Sequence, residues 1–356
     1  MYTLGKVERV FYLDFIRAIS IIFIVIVHFD ASLVGHSIDV RLLSLGYIPI
    51  GTLARIGVSL FFIISGAALM YTYQNDFSIK NYFKKRFIAI YPMFWTAYTI
   101  ALLYLFYTFY GINHLVPKWT FLLTIFGMDG YLLYSIPNFY ILGEWFLGCI
   151  ILFYVCFPIL RKLLIKYPKL LIICVSIVYI VVVEKYVFKM QIDRNLLTKL
   201  PEFLFGMCFI LYIKRVNVYE FVGALCISTF MIFKALNIHP MYKITIIGIS
   251  SFIVLTFIGQ HIKLEKIKEP FTLISKYSYA IFLVHHVVIE QMLIRFNGKK
   301  ITPTESYCLF IIVCIFIAII SVCVYKISNK VSRYIKEIHL TNHSNEHSKV
   351  DITISH

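Results

Sequence analysis

Charged residues are scarce in this chain of 356 amino acids, at 15% of the total, and acidic side chains number 18 against 34 Lys and Arg. Hydrophobic residues make up 60% of the chain. They fall in runs of roughly membrane-spanning length, which leave no room for a second, soluble domain. This composition predicts an all-α polytopic membrane protein, because helices satisfy their own backbone hydrogen bonds within a bilayer.

Patterns for metal binding and redox chemistry are also few. None of the eight cysteines forms a CxxC pair and all lie in apolar runs, so we expect reduced core thiols and no metal site. Residues 336–356 form a polar tail, predicted to be disordered and cytoplasmic, beyond a membrane domain over residues 1–335. Three of its histidines recur every four residues and fit either a helical metal site or, as we favour, a solvated tail: His339, His343 and His347.

About ten transmembrane helices are predicted from the apolar runs, and Lys and Arg cluster mainly in the loops that share a side with the N-terminus. Both termini are therefore predicted to be cytoplasmic in a multi-pass protein of the cell membrane. The loop over residues 185–199 breaks this rule, because it places Lys185, Lys189, Arg194 and Lys199 on the outer side. The predicted spans lie near residues 11–29, 52–72, 88–109, 139–160, 169–184, 200–213, 219–236, 244–260, 277–294 and 306–326.

The net charge of +16 favours membrane lipids over nucleic acid as a partner, because the basic residues lie at helix ends without a compact module to present them. The longest polar stretches, about residues 30–51 and 110–138, are predicted to be outer loops. The second is predicted to form a folded lid or a re-entrant segment because of its aromatic and glycine residues: Trp119, Gly127, Gly130, Tyr131 and Tyr134.

Two ionisable residues lie inside the first predicted span. Arg17 and His28 are separated by ten residues, so on a helix they share a face about 16 Å apart, with Arg17 near the inner end. Asp14 is three residues before Arg17 and close enough to pair with it, which offsets the cost of a buried charge. The helix alone fits either a functional pair or a snorkelling Arg with an interfacial His.

Segment 13–28, LDFIRAISIIFIVIVH, resembles the opening of the membrane-bound acyltransferase family 3, whose hallmark is an Arg, ten residues and a His. The sequence departs from the family pattern at Ser59, which usually is acidic, and at Ala89, where a second Arg commonly follows the first, here Arg86. Four further segments resemble family signatures in the family's order, and the whole resemblance covers roughly residues 10 to 326: GVSLFFIISG at 57–66, FKKRFIAIYPMFW at 83–95, LPEFLFGM at 200–207 and SYAIFLVHH at 278–286.

The resemblance implies an O-acyltransferase that moves an acyl group, most often acetyl, from cytoplasmic acyl-CoA to a hydroxyl of a glycan or lipid-linked sugar at the outer face. Acetyl-CoA or another acyl-CoA is then the donor substrate, and no cofactor is permanently bound. The pantetheine arm of CoA is of the same order of length as the Arg17–His28 separation, so a donor held at the inner side can bring its thioester to His28. Basic side chains predicted to bind the CoA phosphates are Arg17, Lys84, Lys85, Arg86 and Lys276.

His28 is the predicted general base, which removes the proton of the acceptor hydroxyl as it attacks the thioester; a transient acyl-imidazole is the covalent alternative. Glu144 is the carboxylate predicted to orient this imidazole or to bind the acceptor. Glu202 and Glu290 lie at comparable depth. Glu202, however, follows Pro201 and is explained as well by a carboxylate that stabilises the start of a helix.

Three further side chains are predicted to support the site: Asp14, Ser65 and His285. His285 matches the family's His and lies near mid-span, where an imidazole needs a polar partner. His286 beside it can meet Glu290 one turn on. We expect one of the two histidines to be structural.

Two other classes of function fit a basic polytopic protein. A transporter or flippase of lipid-linked glycans should show repeated halves with broken helices, which we do not find in the sequence. A non-catalytic subunit of an envelope assembly gives Arg17 and His28 no role. The enzyme is favoured, and capsule, exopolysaccharide or O-antigen glycans are the expected acceptors.

Replacing Arg17 by Lys is predicted to impair use of the acyl-CoA donor, because an ammonium keeps the charge but loses the planar fork that binds phosphate through two hydrogen bonds. The Michaelis constant for acyl-CoA should rise about tenfold or more, as expected for the loss of one charged hydrogen bond. A normal constant and a normal rate in Arg17→Lys would show that Arg17 serves only to pair with Asp14.

Overall fold

The computed structural model describes residues 10–38, 50–109, 116–142, 145–234 and 236–353, and it describes side chains as far as residue 335. Helices and turns account for the regular structure, and no strand occurs within these ranges. The α-helices are α1 (Phe11–Gly35), α2 (Ile50–Tyr73), α3 (Ile79–Phe109), α4 (Phe121–Ile125), α5 (Asp129–Leu132), α6 (Trp145–Lys166), α7 (Pro168–Glu184), α8 (Leu196–Cys208), α9 (Val218–Phe233), α10 (Pro240–His261), α11 (Glu265–Leu293) and α12 (Pro303–Thr353).

Ten of these described helices coincide with the ten predicted spans, which confirms the prediction of an all-α polytopic membrane protein. Eight are long and apolar enough to cross a membrane by length and composition, α8 together with the π-helix Phe209–Ile213 that continues it. The other two, α7 with 17 residues and α9 with 16, are shorter. The placement of the termini and the division between membrane domain and tail stay predictions.

The fourth span begins later than predicted, at Trp145 instead of near residue 139. Residues 139–142 are apolar but not helical, because they close a folded segment over α3: Tyr98 Oη donates to the carbonyl oxygen of Phe139 at 2.7 Å. Within this segment the Asn138 amide donates to the Asp129 carbonyl at 2.9 Å, and burial raises the pKa of the Asp129 carboxyl to about 7. The apolar character of residues 139–142 is therefore explained by packing within this folded segment and not by a helix.

The centre of the bundle is built around α1, which packs against α2, α10 and α11, and around the contact of α2 with α8. This last contact is the tightest of the glycine-mediated ones. A Cβ added at Gly206 would lie 1.9 Å from the carbonyl oxygen of Ile63, and one added at Gly66 would lie 2.0 Å from that of Phe203. The two backbones therefore touch through glycine, as small residues allow between membrane helices.

Gly206→Ala is expected to destabilise the protein, because the new methyl group meets backbone atoms that cannot rotate away. Overpacking typically costs about 1–3 kcal/mol, and a backbone clash belongs at the upper end of that range. Gly223→Ala is the matched control, since a Cβ at Gly223 meets nothing within 4 Å. Thermal unfolding of the purified variants in detergent gives the comparison, and an unchanged midpoint in Gly206→Ala would contradict the close packing.

Candidate active site

Arg17 is held by side chains of two helices. Its Nη1 lies 3.3 Å from Asp14 Oδ1 and 3.3 Å from Ser275 Oγ, and Ser275 Oγ donates to the same Asp14 oxygen at 2.7 Å. The pair predicted from sequence between Asp14 and Arg17 is therefore present, and Ser275 of α11 completes it. Asp14 and Ser275 are buried, while the Arg17 side chain is 30% exposed. The two buried residues therefore hold the guanidinium on its protein side, and its other side faces a cavity.

That cavity has a volume of about 260 Å³ and lies between α1, α2, α3, α6 and α11. Arg17 and Arg86 both line it, together with Ser65 and Ala89. Buried Arg86 Nε has no hydrogen-bond partner among the described residues. The Arg86 guanidinium carbon lies 6.0 Å from the ring centroid of Tyr73 and 5.7 Å from that of Tyr154. The cavity thus offers two guanidinium groups to an anionic ligand.

The neighbouring lysines take different positions. Lys84 and Lys85 are exposed on α3 and do not line the cavity, and the Lys85 ammonium lies 5.9 Å from the Tyr73 ring centroid. Lys276 lies over the rings of Tyr277 and Tyr325. Of the residues predicted to bind CoA, the structure brings Arg17 and Arg86 together and leaves the three lysines outside their cavity.

Two aromatic rings in the lining of the cavity lie close to a histidine. Phe146 and Phe282 line it, with ring centroids 5.5 Å apart. The Phe282 ring centroid in turn lies 6.0 Å from that of His285. The lining of the cavity therefore includes both arginines and a phenylalanine that contacts the histidine cluster.

His28, His285 and His286 form this cluster. The His28 ring centroid lies 5.0 Å from that of His285 and 5.2 Å from that of His286, in edge-to-face arrangements. His285 is fully buried, and its Nδ1 lies 2.7 Å from the carbonyl oxygen of Phe282. Because a carbonyl only accepts, Nδ1 of neutral His285 carries the proton and Nε2 is left as an acceptor. Within the described part of the chain His285 Nε2 has no partner.

Glu290 is bonded to α1 one turn beyond the histidine cluster. Its Oε1 accepts a hydrogen bond from Ser32, and its Oε2 lies 2.9 Å from His36 Nε2. Glu290 was predicted to lie near His286. Its partners Ser32, one turn after His28 on α1, and His36, directly after the end of that helix, were not predicted from the sequence.

Glu202 does not lie at a helix start, so that interpretation is wrong. Helix α8 begins at Leu196 and is capped by Asn195, whose side chain accepts from the Leu197 N–H at 2.9 Å. Fully buried Glu202 is inside the helix, where its Oε1 accepts from Ser59 at 2.8 Å and lies 3.3 Å from Lys199 Nζ. Its carboxylate is therefore bound between α2 and α8. Glu144, the other carboxylate predicted to act in the site, lies outside the described residues.

Among the described residues, no group of three or more His, Cys, Asp or Glu side chains is placed to hold a metal ion. The family model described as acyltransferase domain, of acyltransferase family 3, matches residues 10–326. This range contains both arginines of the cavity and all three histidines of the cluster. Comparison with curated proteins and with solved structures found no match.

Arg86→Gln is expected to weaken CoA binding about tenfold, because it removes a charged donor from the cavity. Lys84→Gln is the matched control: it removes the same charge from the same helix at an exposed position outside the cavity, and it should change binding little. Titration of the purified variants in lipid with CoA measures both. Equal losses in the two variants would show that the phosphates bind the helix surface and not the cavity.

Proposed function

The chain belongs to the membrane-bound acyltransferase family 3, and on this premise we propose that it is an O-acyltransferase of cell-envelope glycans. It takes an acyl group, most often acetyl, from acyl-CoA on the cytoplasmic side and transfers it to a hydroxyl of a cell-surface or lipid-linked glycan on the outer side. The observation that supports this most is the cavity shared by Arg17 and Arg86, whose lining residue Phe282 contacts the ring of His285 in the histidine cluster.

The arginine end of this cavity suits the phosphates of CoA. Arg17 and Arg86 supply planar guanidinium groups, which bind phosphate oxygens in pairs, and Asp14 with Ser275 orients the first of them. The apolar remainder of the cavity suits the pantetheine arm. Since Arg17 and His28 are eleven residues apart on one continuous helix, the distance to be covered is about 16 Å.

The transfer itself is assigned to His28. Its imidazole takes the proton of the acceptor hydroxyl while the hydroxyl oxygen attacks the thioester carbon; the C–S bond breaks, and the proton passes to the thiolate to give CoA and the acyl ester. The unprotonated Nε2 of His285 can accept a hydrogen bond beside this centre. A transient acyl-imidazole on His28 reaches the same products in two steps.

His28→Ala should reduce acyl transfer by about 100-fold or more, because it removes the base. The protein should still insert and fold, because the hydrogen bonds that join α1 to α11 at Ser275 and Glu290 remain. His261→Ala is the control, since His261 is exposed at the end of α10 and bonded to the Phe257 carbonyl of its own helix. The readout is mass analysis of surface glycans from cells with the wild-type protein, each variant or none.

Two results would contradict this assignment. Normal acylation at a normal level of the His28→Ala protein would remove His28 from the reaction. An unchanged acylation pattern in cells without the protein, combined with altered glycan export, would favour the transporter.

A further inference from the structure

A second pocket lies at the end of the bundle that contains His28. It has a volume of about 320 Å³ and is formed by α5, the start of α6 and the loop between α7 and α8. We call it the outer basic pocket, and its principal lining residues are Tyr131, Tyr134, Trp145, Lys189, Gln191 and Arg194.

Hydrogen bonds hold the walls of the outer basic pocket in place. The Leu196 N–H donates to Tyr131 Oη at 3.3 Å, which joins α5 to the start of α8. Tyr186 Oη donates to the Met190 carbonyl at 2.8 Å, and the Asn195 amide donates to Tyr186 Oη at 3.3 Å. The pocket is thus preformed, which lowers the entropic cost of binding a ligand there.

The chemistry of the pocket combines aromatic rings with uncompensated positive charge. Lys189 and Arg194 are exposed, and neither side chain makes a hydrogen bond or an ion pair in the part of the chain that the structure describes. Trp145, Tyr131 and Tyr134 supply flat apolar surfaces of the kind that pack on the faces of sugar rings. A ligand that matches both features is a glycan with an acidic group, since guanidinium and ammonium groups bind carboxylate and phosphate oxygens.

The position of these charges in the sequence is unusual. The segment over residues 185–199, which comprises the loop between α7 and α8 and the first turn of α8, carries basic residues on the predicted outer side. This is against the distribution of Lys and Arg that sets membrane topology. One of them, Lys199, is buried and paired with Glu202. Lys189 and Arg194 have no such partner, and binding of an external anion gives them a role that topology does not.

A row of aromatic contacts connects the outer basic pocket to the histidine cluster. The Trp145 ring centroid lies 6.4 Å from that of Phe146, which reaches His285 through Phe282 as described above. A glycan bound against Trp145 therefore lies one ring away from Phe146, a wall of the Arg17–Arg86 cavity, and two rings away from Phe282, which contacts His285.

We propose that the outer basic pocket binds the acidic group of an anionic acceptor glycan, a carboxylate or a phosphate, through Lys189 and Arg194, and so holds the acceptor hydroxyl towards His28. The inference rests on the proposed function and narrows its acceptor from glycans in general to acidic glycans.

The test measures binding to the full-length protein in nanodiscs of phosphatidylcholine, with a hyaluronan hexasaccharide and its neutral, carboxyl-reduced counterpart as probes. The acidic probe should bind about tenfold more tightly at low salt, as two exposed charge pairs can provide. This preference should vanish in about 1 M salt, where screening acts within roughly 3 Å. It should also vanish in Lys189→Gln/Arg194→Gln and persist in Lys185→Gln, whose exposed lysine lies in the same loop outside the pocket.

Equal affinity for the two probes, or a preference that survives the double variant, would overturn the inference. Loss of the preference when phosphatidylglycerol is added to the discs would also overturn it, because the pocket would then bind a lipid headgroup. His28-dependent consumption of acetyl-CoA in the same discs tests the proposed function separately. Consumption of acetyl-CoA without a preference for the acidic probe would overturn this inference alone. A preference for the acidic probe without consumption of acetyl-CoA would overturn the acyl transfer, while the binding site stands.

Discussion

An ionised side chain at the centre of a bilayer costs at least about 2.5–3.5 kcal/mol unless it finds a partner. The ionisable residues of α1 and α11 find such partners where the two helices meet. Asp14 and Arg17 bond to Ser275 near the start of α11, while Ser32 and His36 bond to Glu290 near its end. The two helices are thereby fixed at both ends, and the residues between those ends, His28 on one helix with His285 and His286 on the other, are brought ring to ring.

Phe282 connects the two halves of the site, the Arg17–Arg86 cavity and the histidine cluster. Its ring lines the cavity that Arg17 and Arg86 share, and its carbonyl oxygen accepts a hydrogen bond from His285 Nδ1. A shift of this residue on donor entry would therefore act on the ring that faces His28. Because buried imidazole is costly without a polar partner, the carbonyl bond also explains how His285 is tolerated at full burial.

Local spacing made part of the site predictable. The i, i+3 pair of Asp14 and Arg17 and the common face of Arg17 and His28 follow from helix periodicity alone. It could not be predicted that Arg86 lines the cavity and that Lys84 and Lys85 do not. Successive residues of a helix point about 100° apart, and the sequence does not say which direction faces the cavity. Ser275 was equally hidden, because it lies 258 residues from Arg17 and has no local signal. Glu202 was misread because Pro201 suggested a helix start, whereas Asn195 provides the cap and places the proline inside the helix.

The Glu202 contact also accounts for a departure from the family pattern. Where the second helix usually carries an acid, Ser59 donates a hydrogen bond to Glu202, and Lys199 lies against the same carboxylate oxygen. A carboxylate at position 59 would set two buried acids against one lysine, and an uncompensated buried charge costs about 3–5 kcal/mol. With Ser59 the charges at this contact balance, and the hydroxyl supplies a donor that a second carboxylate lacks. The serine therefore adds a hydrogen bond to the contact of α2 with α8 that Gly66 and Gly206 make close.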